Sequence, residues 1–413
     1  MKFDTIIIGG GLSGLMTGIA LSKSGQRCLI ISSGQSALHF FSGSFELYGC
    51  DGNPLKAIAG LNESHPYSKV GALKVEELAE RVPAMFGEMG ISLTGTASRN
   101  HYRVTPLGFL KPAWLTLEEY ARVESAEQMP WRKVAVMNIE GFLDFQPDFV
   151  AAGWAKRGVE CAVCNISLPE LERLRNNPTE MRATNIAKEL VGEVLERLAQ
   201  KINEASADVE AVLLPTVVGL LDKSATEQLR RMVNKPIHFI ATLPPSVPGI
   251  RTQITLRKYF QSLGGVYMLG DTVKCGTIVE GRLQSICTAN HGDVEFEADN
   301  FVLATGSFFS HGIVATSEQV YEPILGLDVD AAGVRSEWYD RNLFNPQPYM
   351  TFGVATDKAL RVSKEGVTLQ NIYAVGAALS GCNPIKEGCG AGVAILTSLY
   401  VADEILNKNQ GNE

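Results

Sequence analysis

A chain of 413 residues with 45% hydrophobic residues is long enough for two domains, or one large interrupted domain, around a substantial core. Its net charge of −8, with no basic run, excludes the class of nucleic-acid binders that grip phosphates through a basic surface. No uninterrupted apolar span of about 20 residues occurs, so no membrane-crossing helix is expected.

The first residues, Met1-Lys2-Phe3-Asp4, lead straight into an apolar run and leave no room for a signal peptide, so a cytoplasmic location is expected. Thr5 to Ile8 reads as a buried strand. Gly9, Gly11 and Gly14 follow with the G-x-G-x-x-G spacing, then a helical stretch from Leu12 to Ser24 and a second strand from Arg27 to Ile31. In such a turn the first glycine permits the sharp strand-to-helix reversal, the second leaves room for a phosphate, and the third lets the helix pack on the sheet. The helix N-terminus then offers unpaired N–H donors to an anion. The plain alternative is a βαβ unit whose turn happens to be rich in glycine. The carboxylate that binds a ribose about 20 residues beyond these glycines is missing: the strand ends Ile31-Ser32-Ser33-Gly34, and no Asp or Glu occurs from Thr5 to Phe45. That absence disfavours a dinucleotide, although Ser32 or Ser33 can hold a ribose through a neutral hydrogen bond, which keeps FAD open beside FMN.

The next turn, Gly34 to Ser44, gathers hydroxyls and an imidazole where a flavin phosphate, ribityl chain and ring edge are expected. Ser33, Ser42, Gly43 and Ser44 are candidate cofactor contacts, and His39 is a candidate base because its pKa falls near working pH. Residues 65–120 supply a helix and strands around Tyr102-Arg103-Val104. Residues 132–241 alternate β-like runs (Val134 to Met137, Glu160 to Cys164, Val209 to Leu214, His238 to Thr242) with helices, notably Thr179 to Ile202, as an inserted α/β domain does. Leu243 to Gly249 is the expected exit hinge. The eight cysteines are scattered in a way that suits reduced thiols, and Cys161 and Cys164, without a second C-x-x-C, read as strand core residues rather than metal ligands.

The nucleotide fold then resumes. A strand Val266 to Leu269 and a hairpin within Thr277 to Thr288 precede Phe301-Val-Leu-Ala-Thr-Gly306, and Ile372 to Gly376 gives a further strand. Gly388-Cys-Gly-Ala-Gly392 opens a closing apolar helix whose N-terminus is expected to face the flavin. Thr305, Gly306, Gly376, Gly388, Gly390, Ala391 and Gly392 complete the candidate cofactor set. Arg103 in the expected cap, Arg251 just after the exit hinge and Lys386 beside the closing helix are candidates for a substrate anion. His311 is a second candidate base. Glu322 and Asp328 read as capping or paired carboxylates, and Cys382 and Cys389 as packing residues or redox-active thiols. The expected architecture is α/β: a discontinuous Rossmann-like flavoprotein domain of the two-dinucleotide type (residues 1–60 and 247–413) with an inserted α/β cap (61–246).

Several longer strings are more specific. Gly34 to His39, Arg103-Val-Thr-Pro-Leu-Gly108, Leu168-Pro-Glu-Leu171 with Leu174-Arg-Asn-Asn177, Thr242-Leu-Pro-Pro-Ser246, Gly306 to Ser310, Glu322 to Asp328 and Asn383-Pro-Ile385 together resemble the B-subunit of bacterial anaerobic glycerol-3-phosphate dehydrogenases. The resemblance implies oxidation of glycerol 3-phosphate to dihydroxyacetone phosphate, by hydride transfer to a flavin while a base takes the hydroxyl proton. It further implies electron flow toward menaquinone, with fumarate or nitrate as terminal acceptors, and FMN as the flavin. The implied partners are an FAD-type catalytic flavoprotein (the A-subunit) and an iron–sulfur protein (the C-subunit) that holds the pair at the cytoplasmic side of the inner membrane. Within that complex this chain is either catalytic or a flavin relay.

Overall fold

The structure, a computed structural model, describes residues 2–177 and 179–410. It divides into two compact units, one of Met1–Ala37, Glu46–Met85 and Leu256–Glu413, the other of Leu38–Phe45 and Phe86–Thr255. The division thus falls inside the helix Val247–Ser262, beyond the proline-rich corner expected as a hinge, and residues 61–85 cluster with the nucleotide-type unit.

In the first unit, β1 (Lys2–Ile8), α1 (Leu12–Lys23) and β2 (Cys28–Ser32) form the expected crossover. A short helix α2 (Pro66–Val70) follows, then β3 (Val266–Leu269), β4 (Val273–Val279), β5 (Arg282–Thr288), β6 (Phe296–Leu303), β7 (Arg361–Lys364), β8 (Val367–Ala374) and the closing helix α3 (Gly390–Gln410). The strands make one sheet in the order β3-β2-β1-β6-β5-β4, with β8 pairing both β6 and β7. β3, β2, β1 and β6 run parallel, Ile6 lying between Leu29 and Phe301. Ile6, Ile7, Leu29, Ile30, Phe301 and Val302 are wholly buried, which is why these strands are written as apolar runs rather than as alternating patterns. β6 changes partner along its length: Phe296 and Glu297 pair antiparallel with β5, and Phe301 to Leu303 pair parallel with β8.

The β4–β5 hairpin turns at Glu280 and Gly281, both at positive φ, as a two-residue hairpin turn requires. It carries a disulfide between Cys275 and Cys287, which corrects the expectation of reduced thiols throughout. The pairing depends on a register shift between Thr277 and Ile278 that puts Cys275 opposite Cys287.

In the second unit the strands Glu160–Ile166, Lys133–Ile139, Ala211–Pro215 and Ile237–Ile240 form a parallel sheet in that order. Cys161 and Cys164 lie on its edge strand and are half-buried rather than core residues. The single helix expected over 179–202 is two, Ala183–Glu189 and Gly192–Ala205, broken where Gly192 takes a φ of +54° that side-chain-bearing residues avoid. The second of these buries Leu195, Leu198, Ala199 and Ile202, a stripe at i, i+3, i+4 and i+7. Each large side chain there contributes about 1.5–3 kcal/mol of burial. Two three-stranded antiparallel sheets complete the unit: Ser44–Phe45, Leu115–Leu117 and Leu93–Thr94, and Leu110–Ala113, His101–Val104 and Arg122–Val123.

Candidate functional site

The turn between β1 and α1 is built as its glycines require. Gly9 has φ +118°, its N–H donates to Ile31 O at 2.8 Å, and a Cβ there would collide with the carbonyl of Ala304. Gly14 lies against the carbonyl of Gly9, so a Cβ would lift α1 off β1. Gly11 differs: an added Cβ would meet only Ser36 Cβ, at 3.6 Å, so the space before it is open. Gly11 is also the N-cap of α1, with no side-chain cap and no acidic residue in the first turn. The amides and the positive end of the helix dipole are therefore left for an anion. Beside this turn Ala304 N donates to Ile8 O at 2.8 Å, Gly306 adopts φ +81°, and Thr305 Oγ1 is buried with no hydrogen-bond partner. An orphaned buried hydroxyl next to an anion-ready helix end fits a phosphate-bearing ligand.

Other predicted cofactor glycines have a different role. Gly376, φ +66°, donates its N–H to Thr397 Oγ1 at 3.0 Å, and a Cβ there would collide with the Ser13 hydroxyl, so it serves the packing of α1. Gly392 donates to Glu46 O at 2.8 Å and would strike the Tyr67 hydroxyl if it carried a side chain. Gly388 abuts Gly49, with its would-be Cβ 3.1 Å from that Cα. Gly390 and Ala391 begin α3. At Gly376, Gly388 and Gly392 the close approach on the Cβ side is of protein to protein.

Ser33 is exposed, and Ser32 donates its hydroxyl to Gly34 O at 3.1 Å. His39, Ser42, Gly43, Ser44, Arg103 and Arg251 belong to the second unit. There Ser44 Oγ is bonded to Thr116 Oγ1 (2.8 Å), which in turn meets His101 Nε2 (2.6 Å), so its hydroxyl is occupied internally. Ser42 Oγ donates to Ser44 O at 3.4 Å, and Gly43 packs under the Tyr120 ring. Arg251 is 5% exposed and pairs with Glu119 at 2.5 Å while also donating to Gly219 O at 2.8 Å. It is a structural ion pair, and its assignment to a substrate phosphate is withdrawn. Arg103, half-buried, faces Lys111 and Arg122 across its sheet. His39 is half-buried in a 3₁₀ turn, where burial lowers its pKa against a hydrogen bond with Gln253 that raises it. Lys386 and His311 are exposed in the first unit, His311 at φ +60°. Glu322, buried, accepts from the N–H groups of Ile324 (3.0 Å) and Leu325 (2.7 Å), and Asp328 from those of Glu365 (2.8 Å) and Gly366 (2.9 Å), so both hold turns rather than capping helices or pairing with arginines.

The second unit also holds a cavity of about 750 Å³ lined by Tyr120, Arg122, Glu124, Trp131 and His238 among others. None of the predicted residues lines it; most of its wall comes from residues 118–131, closed by Thr94 and His238. Near it, burial lowers His101 to a pKa of about 4 from an ordinary 6.5. The folded state then resists a proton that the unfolded chain accepts. Stability should be full above pH 6.5 and fall by about 3 kcal/mol as the pH drops through 4. Urea unfolding across that range checks this: His101→Gln should flatten the profile, and an unchanged slope would refute the assignment.

Residues 4–393 match the family model described as an FAD binding domain. A Yersinia enterocolitica protein, named as the B-subunit of anaerobic glycerol-3-phosphate dehydrogenase, is 46% identical over 98% of this chain and 99% of its own length. A Pectobacterium atrosepticum protein of the same name is 39% identical over 99% of each. The chain belongs to the B-subunit family of anaerobic glycerol-3-phosphate dehydrogenases. Among solved structures, 3-ketosteroid delta1-dehydrogenase from Sterolibacterium denitrificans is similar at 11% identity, with a TM-score of 0.47 over 98% of this chain and 100% of that one. As a member of this family the chain is a flavoprotein of the oxidoreductase class. The α1 amides and Thr305 Oγ1 are the groups that would hold the flavin phosphate. Among the described residues no helix is long and apolar enough to cross a membrane.

Proposed function

We propose that this chain is a flavin-bearing subunit of a complex that oxidises glycerol 3-phosphate to dihydroxyacetone phosphate, with FMN as its flavin. Identity over nearly the whole length of relatives bearing that enzyme's name is the observation that carries the reading. FMN is favoured over FAD because no Asp or Glu follows the glycines as far as Phe45, and the Ser32 hydroxyl is turned onto Gly34 O. The bound flavin supplies a two-electron acceptor. Arg103 or Lys386 is the cation proposed for the substrate phosphate. His39 or His311 is the proposed base, and the lowered pKa of His39 favours the neutral form a base needs. Electrons are proposed to pass toward menaquinone, with fumarate or nitrate as terminal acceptor. The proposed partners are an FAD-type flavoprotein and an iron–sulfur protein, which together place this chain at the cytoplasmic side of the inner membrane without a span of its own.

Loss of Arg251 from the anion site favours a second reading, in which the FAD-type partner oxidises the substrate and this chain relays electrons. Anaerobic addition of glycerol 3-phosphate to the isolated, flavin-loaded chain separates the two. The catalytic reading expects the yellow absorbance to bleach; bleaching only with the FAD-type partner present would establish the relay. Acid release of the chromophore from the same preparation should yield FMN, and FAD would overturn that part of the proposal.

A further inference from the structure

His65, Cys382 and Cys389 converge in the first unit, all buried, with one reactive atom of each within 4.8 Å of the others. Cys389 caps α3, since its carbonyl accepts from Val393 N–H at 2.8 Å. Cys382 stands at the other side of a turn closed by Asn383 N–H donating to Glu387 Oε2 at 2.9 Å. The same carboxylate oxygen accepts from Cys389 Sγ at 3.7 Å and lies 3.5 Å from His65 Nε2.

A metal ion is the obvious occupant for two thiols and an imidazole, but the tautomer of His65 opposes it. Tyr67 N–H donates to His65 Nδ1 at 3.0 Å. A nitrogen that accepts holds a lone pair, so the proton of the neutral ring is on Nε2. Coordination through Nε2 would force that proton onto Nδ1, against an N–H already pointing there; zinc-bound histidines instead donate from their distal nitrogen. Nε2–H is left in the cluster with the Glu387 carboxylate oxygen 3.5 Å away and no well-formed hydrogen bond, in a residue 1% exposed. A buried donor so weakly held beside two sulfurs can also serve a sulfur carrying negative charge.

We propose that Cys382 and Cys389 form a reversible dithiol–disulfide pair, with Glu387 as the proton acceptor and His65 Nε2–H as the donor that stabilises the reacting sulfur. The inference concerns the chain's own thiols and holds for either flavin. Cys382 beside it and then burial hold the Cys389 thiol far above its ordinary pKa, so Cys389 rests as a thiol and its attack needs a base. The oxidant is a low-molecular-weight disulfide. Glu387 takes the Cys389 proton, and the sulfur attacks the small disulfide, breaking its S–S bond and releasing one small thiolate that collects that proton. The Cys382 sulfur then attacks Cys389 in the mixed disulfide, and the second small thiol leaves with the Cys382 proton. Two protein thiols and one small disulfide become one protein disulfide and two small thiols. The sulfurs flank the turn that carries Ile385, which is 73% exposed, and the exchange requires this turn to admit the reagent. The bridge then ties the turn to the start of α3.

The test equilibrates the full-length, flavin-loaded protein with reduced and oxidised glutathione at a series of ratios, quenches in acid, alkylates and analyses peptides by mass spectrometry. The proposal expects a linked 382–389 peptide, two mass units lighter, that appears and disappears reversibly with the ratio. His65→Asn keeps an acceptor for Tyr67 N–H and should slow bridge formation on the order of tenfold. Two thiols that alkylate fully at every ratio would overturn the proposal, as would a rate unchanged in His65→Asn. So would one equivalent of zinc by elemental analysis, shielding both thiols until a chelator removes it.

Discussion

Glu119→Ala is expected to destabilise the second unit by roughly 3–5 kcal/mol, the cost of leaving a buried guanidinium without its anion. Both side chains of the Arg251–Glu119 pair are 6% exposed, and the rest of the Arg251 fork is held by Gly219 O at 2.8 Å and Thr226 Oγ1 at 3.4 Å. Water cannot replace the lost carboxylate at that depth. The melting temperature followed by circular dichroism should fall on the order of 10 °C for a unit of this size. Arg251→Met should cost less, because a lone buried carboxylate escapes by protonation, and its deficit should shrink as the pH is lowered. The double variant Glu119→Leu with Arg251→Met removes both charges and should recover much of the loss. A phosphate-binding arginine behaves otherwise: Arg251→Met would then melt like the parent protein and raise the Michaelis constant for the substrate. That outcome would restore Arg251 to the site.

The pair also shows where sequence reading stops. Its partners are 132 positions apart, and nothing local distinguishes an arginine that meets a buried carboxylate from one that meets a ligand. The βαβ core is legible because its information is local: an apolar run, glycines at fixed offsets and a second apolar run specify strand, turn, helix and strand with no reference to the rest of the chain. The inserted strands are legible for the same reason. Ser44 misleads because its hydroxyl is settled by strand pairing with Thr116, a contact between segments. The Cys275–Cys287 bridge hides behind a single register shift. An unshifted hairpin in which Val279 faces Arg282 would place Ile286, not Cys287, opposite Cys275. Glycines carry a related ambiguity: the sequence shows that something comes close at Gly376 and Gly392, but only the fold shows that it is Ser13 and Tyr67. His65 offers no signal at all, since its chemistry lies in residues more than three hundred positions later.

Gly11→Ala and Gly14→Ala separate the phosphate cradle from the packing of the fold. Gly11 has φ −81° and ψ −167°, a conformation open to any residue, and as an N-cap an alanine costs only about 1 kcal/mol or less. Its Cβ would reach no protein atom nearer than Ser36 Cβ at 3.6 Å and would occupy the space that the turn leaves for a phosphate. The apo-protein should therefore melt close to its parent, while flavin affinity, read by fluorescence titration, should fall on the order of 100-fold, equivalent to about 2.7 kcal/mol. Gly14→Ala sets a Cβ against the Gly9 carbonyl, which is backbone and cannot rotate aside. α1 must then move off β1, an overpacking that costs about 1–3 kcal/mol or more, so flavin loss should come together with a lower melting temperature. If Gly11→Ala instead bound flavin within about twofold of the parent, the phosphate would lie elsewhere. The open N-terminus of α1 would then be a feature of the turn alone, and the unpaired Thr305 hydroxyl would be the remaining guide to the flavin.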